Sequence, residues 1–118
     1  MSYIDAFLLV VAKKNLAAYK ALSTKAGKLW KEFGALDYRE CVGDDLACPG
    51  MISFTKRVNA KKNEVVVFSW ILYRSKAQRN QVNKKIMNDP RIPAMMTGKP
   101  PFDMKRMSMG GFKTIVHL

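Results

Sequence analysis

Two carboxylates stand inside stretches that otherwise have the composition of β-strands, and they are the first residues that could do chemistry. Asp5 lies in YIDAFLLVVA and Glu40 lies in ALDYRECV, each with the alternating parity of apolar neighbours. A carboxylate among apolar side chains costs free energy unless it is paired, and burial raises its pKa. Both residues are therefore candidates for a general base, or for an anchor that binds a polar group of a ligand.

Each carboxylate also has a purely structural interpretation. Asp5 is expected near the ends of two neighbouring strands, where Arg74 and His117 are within reach of a cross-strand pair. Glu40 could instead lie at the margin of an edge strand, where charged side chains are common. The chemical interpretation requires both carboxylates to face one enclosed space, and the sequence leaves the two interpretations open.

Three further residues join the candidate set because of where they fall along the chain. Trp70 shares a strand face with Phe68, and Asp103 and Arg106 stand in PFDMKR, before the last predicted strand. Asp103 is predicted to turn or cap the loop and to pair locally with Lys105 or Arg106. The residues that we expect to line a cavity or its mouth are Asp5, Glu40, Trp70, Asp103 and Arg106.

The familiar catalytic motifs and metal-ligand spacings do not occur. Cys41 and Cys48 form no CxxC pair, and His117 is the single histidine. A zinc site needs more Cys or His ligands than these, and a thiol nucleophile would lack a nearby histidine. The sequence also has no Walker loop, dinucleotide fingerprint, nucleophile elbow or HExxH motif. We therefore expect free thiols, no metal and no cofactor.

The elements that position the candidates follow from hydrophobic periodicity. Apolar positions step by three and four residues over 15–34, which predicts an amphipathic helix that begins at Asn15 and ends at Gly34. The connection 43–63 is long for a hairpin, so it is a candidate lid with room for a short helix. The predicted strands are 3–12, 35–42, 64–73 and 105–118, the predicted helices are 15–34 and 75–89, and 91–103 is a predicted loop.

This order of elements, βαββαβ, predicts an α+β fold of the ferredoxin-like type over a single domain, residues 1–118. Four antiparallel strands should carry two helices on one face. The strands 3–12 and 64–73 are apolar on both parities, whereas a sheet with one wet face should alternate apolar and polar residues. A second copy of the chain should therefore cover the helix-free face, which predicts a homodimer in the form of a dimeric α/β barrel.

The formal net charge of +12 raises nucleic acid as an alternative partner. The basic residues are 15 Lys and 6 Arg, and arginine is the better sign of phosphate or base recognition. The RNA-recognition module shares the βαββαβ order, but its signature strand starts with a basic residue and contains glycine, unlike EVVVFSW. The charge thus favours weak, salt-sensitive polyanion binding, and a basic RNA-associated protein remains the alternative function.

No apolar run approaches the ~20 residues that a transmembrane helix needs. The first residues, MSYIDAFLLVVAKK, also lack the basic start and cleavage site of a secretory signal. We therefore expect a cytoplasmic protein with no membrane partner.

Four separate motifs together carry a family resemblance: YIDAF, KEFGAL…EC…DD, FSWILYRSKAQRNQVNKKIMNDPR and PFDMKRMSMGGF. They resemble the YbaA-like bacterial family of unknown function. The resemblance implies a dimeric α/β barrel of the ferredoxin-like superfamily, which also includes small monooxygenases. It implies no particular reaction. One departure is Ala6, which stands where the family tends to have Gly.

The resulting hypothesis is a homodimer that binds a small molecule in a cavity between the two sheets, with a cofactor-free enzyme as its stronger form. A purely structural partner protein with no cavity is a third hypothesis. Within this scheme the closing segment 100–116 is interpreted as strand entry, and Gly110 and Gly111 are expected to produce a bulge or a close backbone approach that shapes the cavity.

Overall fold

Four antiparallel strands form a single sheet. In the computed structural model, which describes residues 1–118, they are β1 (Tyr3–Ala12), β2 (Asp37–Val42), β3 (Glu64–Tyr73) and β4 (Ser108–Lys113). Their order across the sheet is β2-β3-β1-β4, so the two long strands lie in the middle. This topology confirms the predicted ferredoxin-like α+β fold.

Two long helices connect the strands, and two single-turn helices interrupt the longer loops. Ser75 caps the second long helix because its side chain accepts a hydrogen bond from the backbone N–H of Gln78 at 3.1 Å. The first long helix ends near Gly34, whose φ of +116° is readily adopted by glycine. The helices are α1 (Leu16–Glu32), α2 (Phe54–Arg57), α3 (Lys76–Met87) and α4 (Arg91–Met95), with 3-10 turns at Lys13–Asn15 and Met104–Arg106.

The last strand is shorter than predicted. The segment 105–118 was expected to be extended, but the turn Met104–Arg106 delays the strand until Ser108. The predicted loop 91–103 likewise contains α4, which begins directly after Pro90. Proline is compatible with the first turn of a helix, so the prolines that suggested a loop do not prevent this short element.

The two faces of the sheet have different surroundings. Register pairs Leu9 with Val67 and Ile71 with Tyr38, and this face packs against α1 and α3 to form the core. We call it the helix face; its members include Asp5, Phe7, Leu9, Tyr38, Glu40, Val67, Ser69 and Ile71. We call the opposite side the free face; its members include Ile4, Ala6, Leu8, Phe68, Trp70, Leu72 and Phe112.

The free face is apolar, and neither long helix packs on it. Phe68 and Phe112 are 41% and 60% exposed in the single chain. Phe54, from α2, lies beside Phe68 with ring centroids 6.5 Å apart, yet is itself 50% exposed. Exposed aromatic side chains clustered in this way typically mark an interaction surface. Separately, none of the helices has the length and apolar character needed to cross a membrane.

The glycines of β4, Gly110 and Gly111, do not form a bulge, and Gly111 allows a neighbouring side chain to pack closely against the strand. The register between β1 and β4 runs without interruption from Tyr3 opposite Lys113 to Leu8 opposite Ser108, so the predicted bulge is wrong. The expected close approach is present at Gly111, where the ring of Tyr3 occupies the space that a Cβ atom would need.

Candidate functional site

A cavity of about 200 Å³ lies between the helix face of the sheet and α1. The turn of α4 and the segment that leads into β4 complete its wall. Of its 18 lining residues, 14 are hydrophobic. The side chains that give it this character include Phe7, Leu22, Trp30, Ile92, Met95 and Phe102. A concave apolar space with few polar groups is typical of a site for a small molecule.

Glu40 is the acidic residue in the lining of this cavity. Its two carboxylate oxygens each accept a hydrogen bond from a phenol: Tyr19 donates to Oε2 at 2.7 Å, and Tyr38 donates to Oε1 at 3.3 Å. The ring of Tyr19 is fixed in turn by an edge-on contact with Phe102, with centroids 5.7 Å apart. The carboxylate is therefore held in one orientation by residues from α1 and β2.

The electrostatics of this group follow from its surroundings. Burial raises the pKa of the Glu40 carboxyl, and the hydrogen bonds from Tyr19 and Tyr38 oppose that rise. Burial raises the pKa of both phenols as well, and the neighbouring carboxylate raises them further. The phenols therefore remain protonated donors, and Glu40 is the group in the trio that can accept a proton. Chemically, it can accept a hydrogen bond from a ligand or act as a general base.

Glu40 also borders a second, more open recess between α1 and β2. This recess has a volume of about 360 Å³. It shares Tyr19, Ser23, Tyr38 and Glu40 with the cavity and adds Lys20 and Cys41 at its rim. The carboxylate thus stands between the apolar cavity and a space in contact with solvent, through which a proton could leave.

Asp5 lies on the same sheet face but outside this cavity. It is 3% exposed and forms an ion pair with Arg79 of α3, with Oδ1 and Nη1 3.1 Å apart. The guanidinium of Arg79 also lies over the ring of Tyr3, 4.9 Å from its centroid. Burial raises the pKa of the Asp5 carboxyl, and the charge of Arg79 opposes the rise. Asp5 does not border this cavity, and its partner is Arg79 rather than the expected Arg74 or His117.

The orientation expected for both carboxylates was also wrong. Asp5 and Glu40 were predicted to face a cavity between two sheets, whereas their register places both on the helix face. They do share one face, which the chemical interpretation required. The sequence could not identify which face carries the helices, because both parities of β1 and β3 are apolar.

Trp70 borders the cavity through its place on β3, but pleating directs its indole to the free face. There it lies beside Phe68, with centroids 6.0 Å apart, and below the guanidinium of Arg39, 5.8 Å from its ring. Its side chain therefore lies on the free face, where the predicted cavity between two sheets would form, and its place in such a cavity stays a prediction.

Asp103 and Arg106 hold the loop before β4 and do not line the cavity. Asp103 accepts a hydrogen bond from the backbone N–H of Lys105 at 3.0 Å, so its predicted capping role is confirmed. Arg106 binds both carboxylate oxygens of Glu64 at 2.6 and 3.0 Å, and it donates to the carbonyl of Asn59 at 3.0 Å. Both residues border a separate recess of about 420 Å³, whose lining does not include Glu40. Their predicted place at the mouth of a cavity between two sheets stays a prediction.

Sequence reasoning missed Tyr19 as a functional residue because it lies on the apolar stripe of the first helix. The available signal was its hydroxyl, since a buried tyrosine usually finds a hydrogen-bond partner. Pairing that hydroxyl with Glu40 would have located the site. The two cysteines, Cys41 and Cys48, are exposed free thiols.

Comparison with known proteins places this chain in a family. The chain matches the family described as "Protein of unknown function (DUF1428)" over residues 2–104. The proteins described as uncharacterized protein YbaA from Escherichia coli (strain K12) and from Shigella flexneri are each 43% identical to it over 116 residues, which is 98% of this chain and 98% of theirs.

Two solved structures share the fold at low sequence identity. SnoaB, a cofactor-independent oxygenase from Streptomyces nogalater, has a TM-score of 0.60 and 11% identity, with 99% of this chain and 96% of that chain covered. A dimeric ferredoxin-like protein from an uncultured marine organism has a TM-score of 0.57 and 9% identity, with both chains fully covered. These likenesses support the fold, while the family match and the 43% identity show that the chain belongs to the DUF1428 family and is a relative of the YbaA proteins.

Proposed function

We propose that the protein is a homodimer in which each chain binds a small, largely apolar molecule in its own cavity, with Glu40 as the polar anchor. The observation that carries this proposal is a carboxylate held by two phenols at the wall of an apolar cavity. Glu40 is exposed as a residue, so it is accessible to a ligand, and a carboxylate oriented by two phenols beside an apolar space favours a role in binding or proton transfer. The ligand should therefore present a hydroxyl or N–H group to Glu40.

This proposal moves the binding site from the dimer interface into the single chain. The sequence hypothesis placed the small molecule between two sheets, where the helix-free faces would meet. The cavity that contains Glu40 lies instead between the sheet and α1. The free face is then available for association alone.

The dimer is supported by the apolar free face and by the fold neighbour that is described as dimeric. Two copies packed through Phe68, Trp70 and Phe112 would remove this aromatic surface from water. Size-exclusion chromatography with light scattering should give about twice the chain mass of 13.4 kDa. A single species at the monomer mass at micromolar concentration would overturn the dimer.

The binding proposal is tested by thermal shift against a set of small apolar phenols, alcohols and amines. A ligand that binds only the folded chain raises the unfolding temperature. Ala26→Trp should abolish the shift because Ala26 lines the cavity and a larger side chain would fill it. Ala17→Trp is the matched control, since Ala17 is exposed on α1 and lines none of the recesses described above. Equal shifts in the two variants would contradict the cavity as the site.

An enzymatic form of the proposal assigns Glu40 the role of general base. It would take a proton from the O–H, N–H or activated C–H group of the bound molecule and release it through the recess between α1 and β2. Its raised pKa and its contact with both spaces support this role. Exchange of a ligand proton for deuterium in heavy water, lost in Glu40→Gln, is the measurement that tests it.

Polyanion binding is the second candidate, and the distribution of ion pairs favours it. All five ion pairs of the chain use arginine, so the 15 lysines have no acidic partner. Fluorescence anisotropy with labelled RNA at 50 mM and ~150 mM salt separates the candidates, because phosphate-driven binding falls steeply with salt. Absence of binding at both salt concentrations would exclude this function.

A further inference from the structure

We propose that the ligand of the cavity is an amphipathic anion whose charged end is bound by Lys14, Lys25 and Lys99. This inference rests on the proposed function, because it assigns a chemical class to the molecule in the same cavity. The apolar body of the ligand lies in the cavity, and its anionic group, a carboxylate or phosphate, lies in an adjoining basic recess.

The basic recess lies at the outer side of α1, against the proline-rich segment before β4. It has a volume of about 510 Å³, and its lining contains three lysines and no acidic residue. The segment before β4 brings Lys99 opposite Lys14 and Lys25, which stand at the start and middle of the first helix region. Three lysines that border one recess with no acidic residue in its lining make its potential positive, which attracts an anion.

The recess adjoins the apolar cavity. Leu22 and Met95 line both spaces, so the two adjoin at these side chains. Methionine is unbranched and adapts its shape readily, so Met95 can move aside for a ligand that occupies both spaces. One molecule with an apolar body and a charged end would therefore fill the cavity and the recess together.

The lysines of the recess have no internal counter-charge. None of them takes part in an ion pair. Lys99 also borders the recess that contains Glu64 and Asp103, but Glu64 is paired with Arg106 and Asp103 caps the following turn. Of the two acidic residues that border this second recess, Glu64 is thus already paired with a cation, and neither forms an ion pair with Lys99.

The position of Glu40 gives the ligand a direction. An anionic group cannot lie against an ionised carboxylate without strong repulsion. The end of the ligand that contacts Glu40 should therefore carry a hydrogen-bond donor. The lysine recess accepts the anion. A molecule with a hydrogen-bond donor at one end and an acid at the other can contact both Glu40 and the lysine recess. A neutral apolar molecule can occupy only the cavity.

The test uses a matched pair of probes, 6-(4-hydroxyphenyl)hexanoate and 6-(4-hydroxyphenyl)-1-hexanol, which share a phenol donor for Glu40, an aromatic body and a flexible chain. Binding is followed by the indole N–H signals in NMR, because Trp30 lines the cavity and the indole of Trp70 lies on the free face. The carboxylate should bind about tenfold more tightly than the alcohol at low salt, since each exposed charge pair contributes up to about fivefold. Both probes should shift the Trp30 signal.

The triple variant Lys14→Gln, Lys25→Gln and Lys99→Gln should reduce the affinity for the carboxylate to that for the alcohol. A second triple variant, Lys28→Gln, Lys84→Gln and Lys85→Gln, removes the same charge from exposed helix positions outside the recess and should keep the preference. The phosphate ester of the same alcohol, which carries more charge, tests whether the recess favours phosphate over carboxylate.

The outcomes separate this inference from the proposed function. Equal binding of carboxylate and alcohol, or equal losses in the two triple variants, would overturn the anionic assignment and leave the apolar cavity in place. Binding of neither probe by the folded dimer would overturn both. A carboxylate preference that only the recess variant removes would support the amphipathic anion.

Discussion

Asp5 and Glu40 lie on the same face of one sheet, yet their surroundings give them different roles. Asp5 is neutralised by a guanidinium, because Arg79 reaches it from α3 at 3.1 Å. Glu40 is held only by neutral donors, the phenols of Tyr19 and Tyr38. A cationic partner neutralises the charge of a carboxylate, which makes it a weaker binding partner for a ligand. Phenols orient a carboxylate and leave its charge uncompensated.

The difference extends to what surrounds each pair. Asp5 and Arg79 are enclosed by the core between the sheet and α3, with Tyr3 stacked on the guanidinium. Glu40 borders an apolar cavity on one side and an open recess on the other. Two carboxylates that look alike in sequence thus divide into one that stabilises the fold and one that is available for chemistry.

The largest effect should come from breaking the Asp5 pair. Arg79→Met leaves a buried carboxylate without its cation, which should lower the free energy of unfolding by about 3 kcal/mol. Urea denaturation at neutral pH measures this loss. Arg39→Met is the matched control, because Arg39 pairs with Asp37 at the exposed edge and should cost less than about 1 kcal/mol. Similar losses in the two variants would remove the structural distinction assigned to Asp5.

The next effect concerns ligand affinity rather than stability. Glu40→Gln keeps the shape of the side chain but replaces a charged acceptor by a neutral one. It should weaken binding of 4-butylphenol by about five- to tenfold, since charge-assisted hydrogen bonds are roughly twice as strong as neutral ones. Binding of butylbenzene, which has no donor, should not change. Asp44→Asn, on an exposed loop, should leave both affinities as they are; a loss for butylbenzene in Glu40→Gln would instead indicate a damaged cavity.

The fold was predictable because its signals are local. The strands at 3–12 and 64–73 appear with the predicted bounds, since β-formers there run without interruption. The helix-free apolar face also followed from the strands, because both parities of each are apolar. These features depend on neighbouring residues and on simple periodicity.

The site was predictable only in part because it depends on contacts between distant residues. Strand parity showed that Asp5 and Glu40 each share a face with apolar neighbours, but it could not show that both lie on one face of the sheet or that α1 covers that face. Arg79 reaches Asp5 across 74 residues of sequence, and Tyr19 reaches Glu40 across 21. Such pairings follow from how helices pack on the sheet, and no motif in the sequence records them.

The two phenols provide a smaller test of the Glu40 arrangement. Tyr19→Phe removes a 2.7 Å hydrogen bond from a buried hydroxyl and should lower the free energy of unfolding by about 1 kcal/mol. Tyr38→Phe removes a longer bond of 3.3 Å and should cost under about 0.5 kcal/mol. Thermal and urea unfolding of both variants would check this order. A larger loss from Tyr38→Phe would show that Tyr19 is not the principal partner of the carboxylate.

The smallest expected effect is a pH dependence of stability that arises from Glu40. Burial raises its pKa in the folded state, so between its ordinary and raised values the folded chain holds a proton that the unfolded chain has released. This contribution is complete below the ordinary pKa of about 4.3 and is lost as the pH rises through the raised pKa. Glu32 behaves in the opposite sense, because Arg91 lowers its pKa and its contribution is lost as the pH falls.

Urea unfolding between about pH 2.5 and pH 8 would separate these two groups. In Glu40→Gln the decline of stability with rising pH should flatten, whereas in Glu32→Gln the change should lie on the acid side. The hydrogen bonds from Tyr19 and Tyr38 oppose the rise in the pKa of Glu40, which is why the effect should be small. Tyr19→Phe removes one of those opposing donors. In the wild-type background it should therefore make the free energy of unfolding fall more steeply with rising pH. In a chain that already carries Glu40→Gln it should not change this slope. A steeper decline in both backgrounds would assign the pH dependence to another group and separate it from the carboxylate at the cavity.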